Sequence, residues 1–490
     1  MKRVLSTVPE SMKKSMWNEL LDVCPHYMDK MKTYPLEENE VIKLITDNNL
    51  SDKQVLKICQ YLRQKWGKEI ISKNIRQKLV SRKKCLDEFY TEIRLDKSTN
   101  LNFRTKAGKI LSRSVTYCHD LPGLIAYKKL VENIKDDDET LNVIGVDDGK
   151  DILKIVWNRS LMYKTDIGER KLTGPNRTII LAGVSKVKET HQNMAVLMEL
   201  TKLNEVDYVM SMDLKLTNIM IGICSHSSRY PCPYGECFKD DNGNWHKGRD
   251  RTGFNIKENR AKWIRSSAGR KINRANLKDY MNCENDPLLD NVEDPIIKLI
   301  PPPALHTILL GPVNHVYRGL QKVYPKVAQT ISNLHIQQAK YHGQNFEGNQ
   351  CRALLRKIEY LQIPDCFKEF KDVFLAIKDI HTLSNQPILS CNYHKVIDNF
   401  RQAWYRLRST YTISTTPKIH ILLDHLEDYF DETDMTLLNV SDELVENMHQ
   451  FLHKRLMRSF YLVKDVTNPA HGPRLFRAIR HLNSYNLCME

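Results

Sequence analysis

The stretch that decides the fold is LNVIGVDDGKDILKIVWNRSL, residues 141–161, in which two apolar runs flank the turn sequence DGK. Runs of this length, rich in Val and Ile and separated by a Gly-containing turn, are typical of a β-hairpin. After a polar loop, RTIILAGVS at 177–185 has the composition of another strand. The sequence therefore predicts three consecutive strands over 141–185.

The next segments change the period of the apolar residues. VKETHQNMAVLMELTKL has helical spacing, VDYVMSMD at 206–213 predicts a fourth strand, and LKLTNIMIG predicts a helix. The order of three strands, helix, strand and helix is that of the ribonuclease-H-like fold. The first strand carries Asp147 and the fourth ends at Asp213, where that fold places two catalytic carboxylates. We therefore predict an α/β protein with a ribonuclease-H-like catalytic domain.

Length and composition exclude several classes of protein. The chain has 490 residues, enough for two to four domains, and 41% of them are hydrophobic, as in ordinary globular proteins. No run of about 18 apolar residues is present, which argues against a membrane-spanning protein. The N-terminal sequence has no apolar signal region, so we expect a cytosolic or nuclear protein. The 12 cysteines are then expected to be reduced thiols or metal ligands.

The net charge of +15 is concentrated in two stretches. Residues 53–113 contain 17 basic and 5 acidic side chains, and residues 247–278 contain 11 and 2. Such basic segments suit contacts with the phosphates of a nucleic acid, although a solvated basic surface would look the same. Trp263, within the second stretch, could stack on a base or simply pack inside the protein.

Four regions are predicted along the chain. The acidic sequence KDDDET at 135–140 marks the first boundary, and a mostly helical insertion separates the two parts of the catalytic domain. In order, the regions are a basic helical N-terminal region with a DNA-binding role (1–138), the first part of the ribonuclease-H-like domain (139–223), the zinc-binding insertion (224–412) and a C-terminal helical part (413–490). Within the last, SDELVENMHQFLHKRLMRSF has an apolar stripe of Val445, Met448, Leu452 and Leu456.

Three acids are the candidate catalytic residues: Asp147, Asp213 and Glu446, which lies beside that apolar stripe. Phosphodiester chemistry with two divalent ions requires several carboxylates that converge on one site. Two alternatives remain open. Asp148 could be the ligand instead of Asp147, but only one of the two can serve, since adjacent strand residues point to opposite faces. Glu443 could replace Glu446, since the two are three residues apart on one helix.

Cys232, Cys237, His420 and His425 form a candidate zinc site. Two cysteines in a turn and a distant histidine pair can supply the four ligands that zinc prefers. On a continuous helix the histidines of HILLDH would be about 140° apart. Their convergence therefore requires a helix end or an irregular turn, and buried thiols with surface histidines remain the alternative.

Motifs of other enzyme classes are missing. The sequence has no P-loop, no GxGxxG between a strand and a helix, and no GxSxG. Chemistry driven by nucleotide hydrolysis and serine-hydrolase chemistry therefore have no support.

The order of these motifs resembles the catalytic core of the RAG recombinase and the related Transib-type DNA transposases. Cys232 follows Asp213 by 19 residues and Glu446 follows His425 by 21 residues, which is similar to the spacing in that family. PALHTILLGPVNHVYRGL, GQNFEGNQCRALL and ENMHQFLHKR also resemble family segments. The resemblance covers about 140–460. It departs from the family at Gly235, which stands where the second cysteine is usual, so either Cys237 takes that role or zinc binding is weakened.

This resemblance implies a zinc-containing DDE-type DNA transposase or recombinase, or a domesticated descendant. It would use two Mg²⁺ or Mn²⁺ ions held by Asp147, Asp213 and Glu446, and one structural Zn²⁺. Its partners would be double-stranded DNA, as transposon ends and target, and a second copy of the chain in a homodimer, in the nucleus and without a membrane. The alternatives are a catalytically silent DNA-binding protein with the same fold and a structural zinc protein that binds RNA.

Overall fold

The structure is a computed structural model, in which the chain divides into two compact units, 1–88 with 480–490 and 89–479. The described residues are 57, 60, 61, 64, 84–132, 134–135, 139–149, 151–164, 170–172, 178–224, 228–266, 274–338, 345–438, 440–443, 445–446, 448 and 465–486. In the first unit, Arg480 Nε lies 2.9 Å from Asp87 Oδ1. All candidate site residues belong to the second unit.

The second unit is built on a seven-stranded mixed sheet, which confirms the α/β class. The strand order is β1-β4-β8-β6-β5-β9, with β7 paired to β6. β5 runs antiparallel to β6 and parallel to β9. The strands of this sheet are β1 (Tyr90–Leu95), β4 (Arg113–Cys118), β5 (Glu139–Gly149), β6 (Ile152–Lys164), β7 (Arg170–Leu172), β8 (Ile179–Ser185) and β9 (Val209–Ser211). Two small hairpins lie apart from it: β2 (Phe103–Arg104) with β3 (Ile110–Leu111), and β10 (Phe238–Lys239) with β11 (Trp245–His246).

The predicted hairpin is confirmed as β5 and β6. Their register runs from Glu139 opposite Met162 to Gly149 opposite Ile152, so the connection is only two residues long. Asp151 in that connection has a φ of 65°, a left-handed conformation that Asp tolerates better than most residues. β8 is buried along its whole length, which explains why its sequence is almost entirely apolar.

Helices form much of the rest of the described chain. They are α1 (Leu121–Val131), α2 (His191–Thr201), α3 (Leu214–Ile221), α4 (Gly253–Ser266), α5 (Ile296–Leu299), α6 (Gly311–Val323), α7 (Val327–Asn333), α8 (Gly348–Lys357), α9 (Lys368–Ser384), α10 (Tyr393–Thr410), α11 (Pro417–Asp424), α12 (Leu426–Thr433) and α13 (His471–Asn486). A π-helical turn, Leu305–Leu310, leads directly into α6. None of the described helices has both the length and the apolar character needed to cross a membrane.

One sequence expectation is wrong. Residues 90–118, assigned to a helical N-terminal region, contain β1 to β4, and β4 pairs with β8 of the main sheet. Strand pairing with buried neighbours outweighs the local helical spacing there, since tertiary contacts often override propensity. Most of the expected N-terminal helices, and Leu452 and Leu456 of the apolar stripe, lie outside the described residues. The boundaries of the four regions stay predictions.

Candidate metal centres

Asp147 and Asp213 lie near the carboxyl ends of the neighbouring parallel strands β5 and β9, at the edge of the sheet that these ends form. β5 and β9 are parallel, with Val143 opposite Val209 and Gly145 opposite Ser211. Two residues further along each chain are Asp147, near the end of β5, and Asp213, which directly precedes α3. Asp213 caps that helix, because its Oδ1 accepts a hydrogen bond of 2.8 Å from the backbone N–H of Leu216.

Glu446 reaches the same edge through its neighbour Val445. A Cβ atom placed on Gly145 would lie 2.2 Å from Cγ2 of Val445, so the helical residues around Glu446 pack directly on the backbone of β5. Only glycine permits such a close approach. The contact is two residues before Asp147, and it brings Glu446 toward the two aspartates. The structure therefore brings the three candidate acids to one region.

The charges of these acids influence one another. Burial raises the pKa of Asp147 to about 7, Lys154 opposes the rise, and the charges of Glu446 and Asp213 add to it. Burial also raises the pKa of Glu446, and the charge of Asp213 contributes to that rise. Negative charges that oppose ionisation in this way are typical of groups that share one site.

Lys154 is the cation inside this cluster. It lies directly opposite Asp147 in the β5–β6 register, and its Nζ is 3.8 Å from Oδ2 of Asp147. Its side chain is fully buried, and burial lowers its pKa to about 8 although Asp147 opposes that shift. The sequence analysis did not identify Lys154. Its position opposite Asp147 in the hairpin would have been sufficient to find it.

The two alternative acids have other partners. Oδ2 of Asp148 is 3.3 Å from Nζ of Lys188. Glu443 forms an ion pair with Arg352. The charge of Glu446, and not that of Glu443, is among the charges that raise the pKa of Asp147. These contacts favour Asp147 and Glu446 over their neighbours.

A buried Asp–His pair, also missed by the sequence analysis, adjoins Glu446. Asp442 is 3% exposed. Its carboxylate accepts a 2.7 Å hydrogen bond from the backbone N–H of Leu305 and another bond from Nδ1 of His306. Nε2 of His306 lies 3.9 Å from Oε1 of Glu446. Burial alone would lower the pKa of His306, but the hydrogen bond and charge of Asp442 outweigh it and raise the pKa.

The second centre contains the four predicted zinc ligands. The candidate ligand atoms of Cys232, Cys237, His420 and His425 all lie within 4.8 Å of one another, and all four residues are buried. Sγ of Cys232 is 3.2 Å and Sγ of Cys237 is 3.5 Å from Nε2 of His425. Among the described residues this is the one group of at least three His, Cys, Asp or Glu side chains gathered this closely. The group could bind a metal such as zinc.

The two histidines converge because the helix breaks between them, as the sequence spacing required. α11 ends at Asp424, His425 has a φ of −127°, and α12 begins at Leu426. The ring of His420 stacks on Trp245 with 4.0 Å between centroids.

Cys237 takes the place expected of a second cysteine, since it is gathered with the other three residues. The backbone of Gly235 is packed so closely that a Cβ there would lie 2.7 Å from Sγ of Cys237.

Carboxylates orient both histidines. Nδ1 of His420 is 2.5 Å from Oδ2 of Asp424, and Nδ1 of His425 is 3.1 Å from Oδ2 of Asp428. Each imidazole thus presents Nε2 to the thiols, an arrangement typical of metal-bound histidine. Nε2 of His420 is buried and makes no hydrogen bond within the described part of the chain. A bound metal ion would satisfy that nitrogen.

The two thiols differ in how readily they ionise. A hydrogen bond from Cys232 and one with His425 lower the pKa of Cys237, while burial raises the pKa of Cys232. Burial opposes protonation of His425, but Asp428 and Cys237 raise its pKa to about 9. A thiolate beside an imidazolium is the state from which a metal ion displaces protons on binding.

Arg251 supports the backbone of the loop that carries Cys232 and Cys237, which we call the cysteine loop. Its guanidinium is fully buried. Its Nε donates hydrogen bonds of 3.0 Å to the carbonyl of Cys232 and 3.1 Å to that of Gly235, and one terminal nitrogen donates a 3.0 Å bond to the carbonyl of Met281. The sequence analysis counted this residue only as part of a basic stretch.

Several charges of the second basic stretch have partners inside the protein. Lys247 lies 2.8 Å from Asp428, and Arg249 lies 2.7 Å from Glu236. Trp263 is 5% exposed, so it packs inside the protein, as in the alternative to base stacking. This stretch therefore has structural roles in addition to its charge.

Compared with models of protein families, the chain matches none, and it also matches no curated protein sequence at a significant level.

Proposed function

We propose that the protein is a DDE-type DNA transposase or recombinase that cleaves and joins DNA with two divalent metal ions. The observation that carries this proposal is the meeting of Asp147, Asp213 and Glu446, from two strands and a distant helical segment, at one edge of the sheet. Acids that are separated in sequence but share one electrostatic site are the arrangement that such chemistry needs.

The topology supports the same proposal. Three antiparallel strands, β5, β6 and β8, lie beside a fourth strand, β9, that is parallel to the first. This order is similar to that of ribonuclease-H-like enzymes, with the remaining helices as an insertion before Glu446. Because one fold hosts many functions, the topology supports the proposal only together with the acids.

Carboxylate oxygens are ligands that Mg²⁺ and Mn²⁺ prefer, so the three acids fit the ions by their chemistry. Bound ions would activate a water nucleophile and stabilise the leaving oxygen. In the cleavage step the water oxygen bonds to phosphorus while the bond from phosphorus to the 3′ oxygen breaks. The proton of the water passes to solvent, the 3′ oxygen takes up another, and the freed 3′-hydroxyl can attack a second phosphate in joining.

The residues of the chain have defined parts in this scheme. Asp213 is fixed by its helix cap, and Asp147 by its strand. Glu446 is placed by the packing of Val445 on Gly145. The four Cys and His residues would hold a structural zinc ion that joins the cysteine loop to α11 and α12. Double-stranded DNA as substrate, a homodimer and a nuclear location belong to the proposal.

Replacing Asp213 with Asn tests the catalytic claim. Asn caps a helix as well as Asp does, so the fold is expected to survive while one metal-binding charge is lost. We expect the purified wild-type protein to nick supercoiled DNA in Mn²⁺, and the variant to bind DNA with unchanged affinity but to nick at least a hundredfold more slowly. Asp207→Asn, an exposed position shortly before β9, is the matched control and should cleave normally.

Two outcomes would separate the alternatives. Cleavage that survives Asp213→Asn would refute the assignment of the acids. DNA binding by the wild-type protein without cleavage in Mn²⁺ or Mg²⁺ would favour the catalytically silent DNA-binding protein.

A further inference from the structure

Lys418 is a lysine with no catalytic assignment near the three acids Asp147, Asp213 and Glu446, which we call the carboxylate centre. Lys418 is half-buried at the start of α11. Burial lowers its pKa, and the charges of Asp213 and Asp442 oppose the shift. The charge of Lys418 in turn lowers the pKa of His306. The geometry agrees: a Cβ atom on Gly311 would lie 2.3 Å from Cδ of Lys418 and 2.8 Å from the carbonyl oxygen of His306, and Nε2 of His306 lies 3.9 Å from Oε1 of Glu446.

The aliphatic part of Lys418 is held in a fixed place. A Cβ atom on Gly311 would lie 2.3 Å from Cδ of Lys418 and 3.1 Å from its Cβ, so the side chain passes directly over the backbone at the start of α6. Asp442 accepts hydrogen bonds from Leu305 and His306, in the π-helical turn that leads into α6. The side chain of Lys418 therefore lies against the start of α6, next to the π-helical turn that Asp442 holds through these hydrogen bonds.

The ammonium group has no close partner in the protein. Within the described residues, Lys418 makes neither a hydrogen bond nor an ion pair within 4.0 Å. By contrast, Lys154, the other lysine of the centre, lies 3.8 Å from Asp147. A lysine side chain that is fixed against Gly311, and whose ammonium group has no such partner, is available to a ligand that carries negative charge.

The zinc centre fixes the helix that carries Lys418. Lys418 and His420 are both in the first turn of α11, which Thr416 caps. A metal ion bound by His420 and the two cysteines would tie this turn to the cysteine loop. The position of the lysine beside the acids would then depend on the zinc centre.

We propose that Lys418 binds a non-bridging oxygen of the DNA phosphate that is cleaved at the carboxylate centre, and that the zinc centre holds it there. This inference rests on the proposed function and adds a residue to it. A phosphate that is attacked gains negative charge on its oxygens, and a cation positioned in advance stabilises that charge without rearranging. Lys418 provides such a cation on the side of the centre formed by α11.

The test compares Lys418→Met with Lys418→Arg and with Lys322→Met, an exposed lysine on α6 as the matched control. Single-turnover cleavage of a DNA duplex is measured in Mn²⁺, together with zinc content and Mn²⁺ affinity. Removal of one charge-stabilising donor costs roughly a hundredfold or more in rate in other enzymes. We expect a loss of that order for Lys418→Met, partial recovery for Lys418→Arg, full zinc content and undiminished Mn²⁺ affinity.

Each other result has a definite meaning. A Lys418→Met rate within twofold of wild type, with Asp213→Asn inactive, overturns the role of Lys418 and leaves the proposed function intact. Loss of zinc from Lys418→Met also overturns it, because the lysine would then support the zinc helix only. A wild-type protein that does not cleave DNA overturns both proposals.

Discussion

Replacing Asp428 with Asn should weaken metal binding at the Cys–His centre without removing a ligand. Oδ2 of Asp428 lies 3.1 Å from Nδ1 of His425, and the carboxylate makes this imidazole a better donor through its other nitrogen. Asn can still accept the hydrogen bond from Nδ1, but it carries no charge. The variant therefore removes the charge beside His425 and keeps the hydrogen bond, although it also weakens the ion pair of Asp428 with Lys247.

The expected magnitude follows from the kind of contact. Loss of such a supporting group typically lowers metal affinity by about 10- to 100-fold. Because the hydrogen bond is retained, we expect the lower end, about tenfold or ~1.4 kcal/mol. Asp424 holds His420 in the same way, with 2.5 Å between Nδ1 and Oδ2. If the two supports act independently, the double variant Asp424→Asn/Asp428→Asn should lose about a hundredfold.

The assay is competition for Zn²⁺ between the purified protein and a chromogenic chelator of known affinity. Asp431→Asn is the matched control, since Asp431 is on the same helix and its carboxylate accepts a hydrogen bond from Tyr393. The control should bind zinc as wild type does. Equal zinc affinity of Asp428→Asn and wild type, or an equal loss in the control, would refute the proposed role of the carboxylate.

Three further predictions concern the supports of the two centres. Arg251→Met should lower the free energy of unfolding, measured in urea, by about 3 kcal/mol or more. The substitution leaves several carbonyl groups without their hydrogen bonds, at a cost of about 1–3 kcal/mol each. A loss below 1 kcal/mol would contradict this prediction. The Mn²⁺ affinity, measured by calorimetry, should fall as the pH drops through about 7. The pKa of Asp147 is raised to about 7, and its neutral form is a poor ligand. A fall that begins only near pH 4 would contradict the raised pKa of Asp147. Gly145→Ala should lower the free energy of unfolding, measured by thermal denaturation, by about 1–3 kcal/mol and weaken Mn²⁺ binding, because the added methyl group collides with Val445. Unchanged stability would show that Val445 does not pack there.

The fold of the central sheet could be predicted because local pattern and tertiary role agree there. The hairpin of β5 and β6 and the apolar run of β8 are buried, so their sequences carry the signal directly. Residues 90–118 could not be predicted, because β1 to β4 are short and β4 is fixed by its pairing with β8. Their sequence alone contains no comparable apolar run.

The ligands of the centres were easier to predict than their supports. Cysteine and histidine are the residue types that zinc prefers, which marks Cys232, Cys237, His420 and His425. The spacing of the two histidines required a break in the helix between them, and the helix ends at Asp424. Arg251 and Asp442 act through backbone contacts with residues far away in sequence. No local pattern marks such contacts, so only the structure reveals them.

The central claim is that Asp147, Asp213 and Glu446 form one centre for divalent ions. The most direct measurement is the anomalous difference density of crystals grown with Mn²⁺ and a DNA duplex. The account predicts two peaks between the three carboxylates, roughly 3.5–4 Å apart, as in two-metal sites. Among the described residues, the oxygens of the three acids are gathered less tightly than the ligand atoms of the Cys–His group. Peaks only at surface acids, or none within reach of Asp213, would contradict the claim.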